Sequence, residues 1–177
     1  MGNPDHGKLG HKVYLEEAES KRKAGSYKPQ SIGDQSRMDF VDLQNVKQVS
    51  CGFRHTACIT EDGSVYTWGE GRNGQLGHSN TNDLIEPTKL DLSVKVVKVE
   101  CGANFTMILD DTGKLYAFGD NRYGQLGITG LDNILLEHPA GIQLFLKKVV
   151  DFSCGEEHAA YVNNKGEVFT WGYGRDG

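Results

Sequence analysis

The chain has 177 residues, 37% of them hydrophobic, with 23 Gly, 4 Pro and a net charge of −5. The acid excess argues against a polyanion-binding surface over the whole molecule. No run approaches the 18 apolar residues of a membrane span, and the N-terminus carries no apolar secretory segment.

The first eleven residues, MGNPDHGKLGH, hold a Gly, four mixed residues, then Gly-Lys-Leu-Gly-His. The pattern returns as GEGRNGQLGH from Gly69 and GDNRYGQLGI from Gly119, and begins again as GYGRDG from Gly172. Both ends of the sequence thus fall at one phase of a repeat, as if a ring had been cut there, and the chain reads as a piece of a longer assembly. The alternative is a short chain that closes a ring with another copy or another polypeptide. Residues 12–45 are polar and irregular and are expected to form an exposed insertion loop in the first unit. Residues 1–30 carry six Lys/Arg against four Asp/Glu, a balance of +2, while the remainder carries 13 against 20.

From Val46 onward strands are expected. CGFRHTACITEDGSVYTWG (51–69), CGANFTMILDDTGKLYAFG (101–119) and CGEEHAAYVNNKGEVFTWG (154–172) align without gaps. Each has a turn Gly 12 residues after its Cys, an aromatic 17 after and a closing Gly 18 after. VKQVSC, HTACIT and SVYTW are short, β-branched or aromatic, and bounded by turns. Glu61-Asp62-Gly63, Asp111-Thr112-Gly113 and Asn164-Lys165-Gly166 predict hairpins in which Gly supplies a positive φ. Further strands are expected near Pro87–Leu90 and Pro139–Leu144. About four strands per ~50 residues, repeating, predict an all-β chain of propeller blades. About three blades span residues 1–177, with repeat cores 46–69, 96–119 and 149–172.

Several motifs have plainer readings. GEGRNG and GYGRDG match G-x-G-x-x-G, but a dinucleotide site needs a helix after that motif, and here strands repeat. Cys51, Cys101 and Cys154 are equivalent positions, expected to be small buried residues beside a turn, reduced and not disulfide-bonded. Cys51…His55 and Cys154…His158 offer no converging four-ligand set, and Phe105 replaces His in the middle unit, so neither metal nor cofactor is expected. Asn104-Phe105-Thr106 fits a glycosylation acceptor at a strand start and is expected to stay unmodified. No nucleophile, base and acid set stands out, so enzymatic catalysis is not expected.

The string C-G-x-x-H-T…D-G-x-V-Y-x-W-G-x-x-x-x-G-Q-L-G-H resembles the regulator of chromosome condensation repeat. The resemblance covers residues 46–177 and the first eleven, and it implies a seven-bladed propeller in complete members. Met1 stands where Trp68, Phe118 and Trp171 stand in the other units. A three-blade arc would leave two terminal blade faces uncovered, open to self-association.

In an antiparallel meander, loops alternate between the two ends of the strands. The C-G-x-x-H loops and the G-x-x-x-x-G loops therefore share one face. That face gathers Phe53, Arg54, Arg72, Asn73, Asn104, Arg122, Tyr123, Glu156, Glu157, Tyr173 and Arg175. Arg72, Arg122 and Arg175 are equivalent and form a row of guanidinium groups among acids and aromatics, the residue types that anchor protein interfaces. The expected function is a protein-interaction module. The resemblance also implies two alternatives, a guanine-nucleotide exchange factor for a small GTPase and a chromatin-associated regulator. The latter would rest on Lys21, Arg22 and Lys23. Light sensing, as in the plant ultraviolet receptor of similar fold, would need repeated G-W-R-H-T, and here Gly52-Phe53-Arg54-His55-Thr56 occurs once with Phe for Trp. Reduced thiols place the expected location inside the cell, cytoplasmic or nuclear.

Overall fold

The computed structural model describes residues 43–128, 135–141 and 148–174. These form three antiparallel sheets and no helix. Blade 1 is β1 (Val46–Cys51), β2 (His55–Thr60), β3 (Val65–Gly69) and β4 (Leu84–Lys89). Blade 2 is β5 (Val96–Cys101), β6 (Phe105–Asp110), β7 (Leu115–Asp120) and β8 (Leu135–Gly141), and blade 3 is β9 (Val149–Cys154), β10 (His158–Asn163) and β11 (Val168–Gly172). Strands pair in chain order within each sheet. The expected insertion at 12–45 lies almost wholly outside the described residues, as do the N-terminal motif and Lys21-Arg22-Lys23.

The register repeats as the sequence does. Cys51 pairs Thr56 and His55 pairs Gly69 in blade 1. Cys101 pairs Thr106 and Phe105 pairs Gly119 in blade 2. Cys154 pairs Ala159 and His158 pairs Gly172 in blade 3. Each β2-type to β3-type turn closes through a Gly with positive φ, as at Gly63. There the Asp62 carboxylate accepts from the Thr60 hydroxyl (2.5 Å), the Ser64 amide (3.1 Å) and the Ser64 hydroxyl (3.0 Å). The two strand prolines, Pro87 and Pro139, lie in β4 and β8, the outer edge strands, where a missing N–H costs least.

Each sheet turns one face forward, toward the next blade in chain order, and one face back. Ala57, Ile59 and Val65 on the forward face of blade 1 pack on Val96, Val99, Ile108 and Phe118 of blade 2. Phe105, Met107, Leu109 and Leu115 of blade 2 pack likewise on Val149, Phe152, Ala159 and Tyr161 of blade 3. All of these are buried, and each large side chain contributes about 1.5–3 kcal/mol of apolar transfer energy. β6, central in the middle blade, is buried along its whole length.

The G-Q-L-G segments lock the blades together. A Cβ on Gly77 would meet Phe118 Cε2 at 2.7 Å, and one on Gly127 would meet Trp171 Nε1 at 2.6 Å. The loop of one blade therefore packs its glycine against the aromatic of the next, and Trp171 Nε1 also donates to the Gln125 carbonyl (2.9 Å).

β1, β5 and β9 bond directly from blade to blade. The Gln48 amide donates to the Val99 carbonyl (2.9 Å) and accepts from the Val99 amide (3.1 Å). At the equivalent position Lys98 donates to the Phe152 carbonyl and to Asp151 Oδ1 (2.5 Å). Cys101 Sγ donates to the Ser50 carbonyl (3.5 Å), and Cys154 Sγ approaches the Glu100 carbonyl (3.9 Å). The three equivalent cysteines differ in burial: Cys101 is buried, Cys154 half-buried and Cys51 exposed. This corrects the expectation of a uniformly buried residue. Burial at that position comes from the preceding blade rather than from the turn.

The two terminal faces differ. On the backward face of blade 1, Cys58 and Trp68 are buried, although Val46 and Val49 on β1 are exposed. The forward face of blade 3 is open, with Val168 68% exposed.

Candidate protein interface

The loops that follow β1, β5 and β9 meet the loops that follow β3, β7 and β11 at one end of the strands. The meeting is fixed by backbone: the Glu70 amide donates to the Arg54 carbonyl (2.8 Å), Asp120 to Asn104 (2.9 Å) and Tyr173 to Glu157 (2.9 Å). The closing glycines make this approach possible. Gly69 has φ +109, and a Cβ there would lie 2.6 Å from the Arg54 carbonyl oxygen. A second ladder runs across blades, from the Phe53 amide to the Ala103 carbonyl and from the Ala103 amide to the Glu156 carbonyl, each 3.0 Å.

In the blade 1 loops, Phe53 is 66% exposed, with the Arg54 guanidinium 5.5 Å from its ring centroid. Arg54 and Arg72 both approach the buried Glu70 carboxylate, at 3.7 and 3.6 Å. In blade 2, Arg122 Nε lies 3.0 and 2.9 Å from the two oxygens of the buried Asp120, and its Nη2 lies 2.5 Å from Oδ2. That bond holds the Arg122 guanidinium above its ordinary value. Tyr123 and Tyr173 bridge blades 2 and 3 with ring centroids 4.6 Å apart, tilted by 59°, and both are exposed. Asn73 and Asn104 are half-buried, Glu156 is exposed and Glu157 half-buried. Arg175 lies outside the described residues.

The arginines are thus less available than a row of free guanidinium groups. Each described one is drawn toward an acid in its own blade. Glu70 and Asp120, each one residue past the closing Gly, act as buried anchors, a role that sequence reading did not give them. The signal was there in Gly-Glu-x-Arg and Gly-Asp-x-Arg. Gly172-Tyr173-Gly174-Arg175 lacks it, and an exposed tyrosine stands in the acid's place. Gln75 and Gln125 were missed as well: their side-chain carbonyls accept from the Asn73 amide (2.8 Å) and the Tyr123 amide (2.9 Å) and hold the loop.

The other motifs find structural uses. Gly71 donates to Asp83 Oδ1 (2.9 Å), and a Cβ there would meet the Asn82 carbonyl oxygen at 1.9 Å, so the chain itself fills the G-x-G-x-x-G loop. Thr106, third residue of the glycosylation-like triplet, is fully buried. Among the described residues no three His, Cys, Asp or Glu side chains converge as metal ligands.

Two family models, each for the regulator of chromosome condensation repeat, match the chain, one over 62–109 and 112–162, the other over 46–75, 96–125 and 149–177. The chain belongs to the regulator of chromosome condensation repeat family. It is 35% identical to a mouse RCC1-like G exchanging factor-like protein over 98% of its own length and 36% of the relative's. It resembles the crystal structure of human WBSCR16 with a TM-score of 0.78 and 31% identity, over 98% of this chain and 42% of that one. The likeness to Prp20p of Saccharomyces cerevisiae, studied with its binding to Gsp1p and histones, has a TM-score of 0.74 at 24% identity. It covers 98% of this chain and 40% of that one, and it shows the fold. The chain therefore spans about two fifths or less of these relatives. Its three sheets are successive blades of the family's propeller.

Proposed function

We propose that the loop end of these blades is a face for a protein partner. The observation that carries the reading is the set of three exposed aromatics, Phe53, Tyr123 and Tyr173, gathered at one end, with the backbone amide of each held: Phe53 by Ala103 of the next blade, Tyr123 by the Gln125 side chain and Tyr173 by Glu157. Aromatic side chains on a rigid support bind with little loss of conformational freedom. Charge is mixed: the Arg54 guanidinium lies over the Phe53 ring and Arg72 approaches Glu70, while the Glu157 carbonyl accepts from the Tyr173 amide and Glu156 adjoins it in sequence. A partner with matched charge along the same line would gain orientation and association rate. The mixture suits a protein better than a nucleic acid.

The test is capture by the immobilised chain from a cell extract, with bound proteins quantified by mass spectrometry. Phe53→Asp with Tyr123→Ser and Tyr173→Ser is expected to empty the captured set while far-ultraviolet circular dichroism stays unchanged. An unaltered set would overturn the assignment.

A second reading, nucleotide exchange on a small GTPase, is favoured by the 35% identity to a relative named for G exchange. It concerns a protein of which these blades are a part. Its test is release of labelled GDP from a panel of small GTPases by a chain carrying the complete propeller, with acceleration of any panel member as the expected result.

A further inference from the structure

One pair of positions recurs where the loops of each blade meet, and it holds a different chemistry each time. Its first member is the third residue after the repeated Cys, its second the residue after the closing Gly. The backbone joins them alike in all three blades, Glu70 to Arg54, Asp120 to Asn104 and Tyr173 to Glu157. In blade 1 the pair is a cation and an anion, and it is closed. The Arg54 guanidinium lies 3.7 Å from the Glu70 carboxylate and 5.5 Å from the Phe53 ring centroid. In blade 2 the acid of the pair, Asp120, takes Arg122 of its own loop.

In blade 3 the pair is an anion and an aromatic. Glu157 stands in the place of Arg54, Glu156 in that of Phe53 and Tyr173 in that of Glu70. Neither glutamate forms a salt bridge among the described residues. Tyr173 and Tyr123 are 42% and 43% exposed, with ring centroids 4.6 Å apart and planes tilted by 59°. Arg122, next to Tyr123 in sequence, is answered chiefly by Asp120, and Glu157 adds only the smallest part of what raises its pKa.

A carboxylate attracts a positive charge directly, and a tyrosine ring attracts one through its negative face. Both members of the blade 3 pair therefore favour the same guest. Taking this end of the blades as a protein face, the reading on which the inference rests, we infer that Glu157 and Tyr173 form a site for an arginine side chain of the partner, with Glu156 and Tyr123 at its edge. A guanidinium fits such a site better than an ammonium. Its plane stacks on a ring while its edge donates two bonds to a carboxylate, and it is the more weakly hydrated of the two. The site also orients the partner. Blade 1 presents a pair already closed by its own arginine, and blade 2 an acid already taken, so the basic part of the partner lies on blade 3.

The probes are end-blocked glycine peptides carrying one central arginine, lysine or citrulline, the last keeping the shape of arginine without its charge. Nuclear magnetic resonance of the tyrosine ring signals reads binding to the full chain at low salt. The arginine peptide is expected to shift the Tyr123 and Tyr173 signals saturably, and the citrulline peptide to leave them in place. Glu157→Gln is expected to weaken arginine binding by about fivefold, and Tyr173→Phe, which keeps the ring, to stay within about twofold. Glu157→Arg with Tyr173→Glu rebuilds the blade 1 pair and is expected to abolish binding with the melting temperature unchanged. Arg175→Ala is expected to leave the affinity as it was. Equal binding of arginine and citrulline peptides, or full binding by Glu157→Gln, would overturn the inference. So would binding that appears only in Arg175→Ala, because the chain's own arginine would then be the occupant. Loss of capture in the triple aromatic variant alongside such a result would leave the protein face standing and remove only its arginine site.

Discussion

The His55 imidazole of blade 1 meets the Thr106 hydroxyl of blade 2 at 2.8 Å, in the buried seam between their sheets. Thr106 Oγ1 lies 2.8 Å from the Gln75 carbonyl and donates its one proton there. The imidazole must then donate from Nε2, and Nδ1, buried and without a hydrogen-bond partner, carries the lone pair. A second proton would sit on buried Nδ1, where the loss of water outweighs the favourable contact with the Phe105 backbone.

That arrangement makes the seam acid-sensitive. Burial lowers the His55 pKa from 6.5 to about 4. The folded value lies below the unfolded one, so this contribution to stability is complete above pH 6.5 and falls away as pH drops toward 4. The loss is on the order of 3 kcal/mol by linkage. Urea titrations at pH 7.5 and pH 4.5 measure it. His55→Phe is expected to flatten this acid limb, since Phe105 fills the equivalent place in blade 2 without titrating. An acid limb of the same depth in the variant would refute the assignment to His55.

Glycine replacements should separate backbone strain from lack of room. Gly124 and Gly127 both have positive φ, +74 and +66. A Cβ on Gly124 meets nothing within 4 Å, while one on Gly127 meets the Trp171 ring at 2.6 Å. Gly124→Ala is expected to cost about 1 kcal/mol, the price of a left-handed residue. Gly127→Ala is expected to cost about 2–4 kcal/mol and to shift the Trp171 fluorescence spectrum. Equal losses in thermal melts would refute the packing role of the loop.

The thiols should label in order of access. Cys51 is exposed. Burial pushes the Cys58 thiol up to about 11 and the Cys101 thiol up to about 12, and it raises Cys154 as well. Iodoacetamide at pH 8 is expected to modify Cys51 within minutes and Cys58 and Cys101 only after denaturant is added. Peptide mapping reads the order, and early labelling of Cys101 would contradict its seat beneath Ser50.

The Lys98–Asp151 bridge should matter modestly. Its side chains are 24% and 63% exposed. Burial opposes the charge on Lys98, and Asp151 and Glu100 more than restore it, leaving the pKa raised; the Lys98 bond lowers that of Asp151. Asp151→Asn is expected to cost at most about 1 kcal/mol, a loss that shrinks in 1 M salt. A loss several times larger, unaffected by salt, would mean that the bridge is shielded from solvent.

What could be read in advance follows from what repeats. The strands around Cys51, Cys101 and Cys154 were legible because alternating β-branched residues, a Gly turn and an aromatic recur at fixed offsets. The position of β8 was read less well. It runs Leu135–Gly141, earlier than the stretch expected from Pro139, because an outer edge strand is placed by pairing with β7 and not by its own pattern. The shared loop end was legible from strand parity alone. The pairing of Arg122 with Asp120, and of Tyr123 with Tyr173, was not, because those contacts depend on side-chain direction within a loop. Gln48 and Lys98 hold the same position with different chemistry, so no residue pattern announced that both fasten the next blade.

The glycine loop that seats on the next blade's aromatic has a consequence for how such chains can grow. The segment that covers Phe118 is encoded before β5, and the segment that covers Trp171 before β9. A genetic duplication of one period, wherever its breakpoints fall, therefore carries one sheet together with the latch for its neighbour. Whole periods can be gained or lost while every seam is remade, whereas a cut at a sheet boundary leaves an aromatic bare.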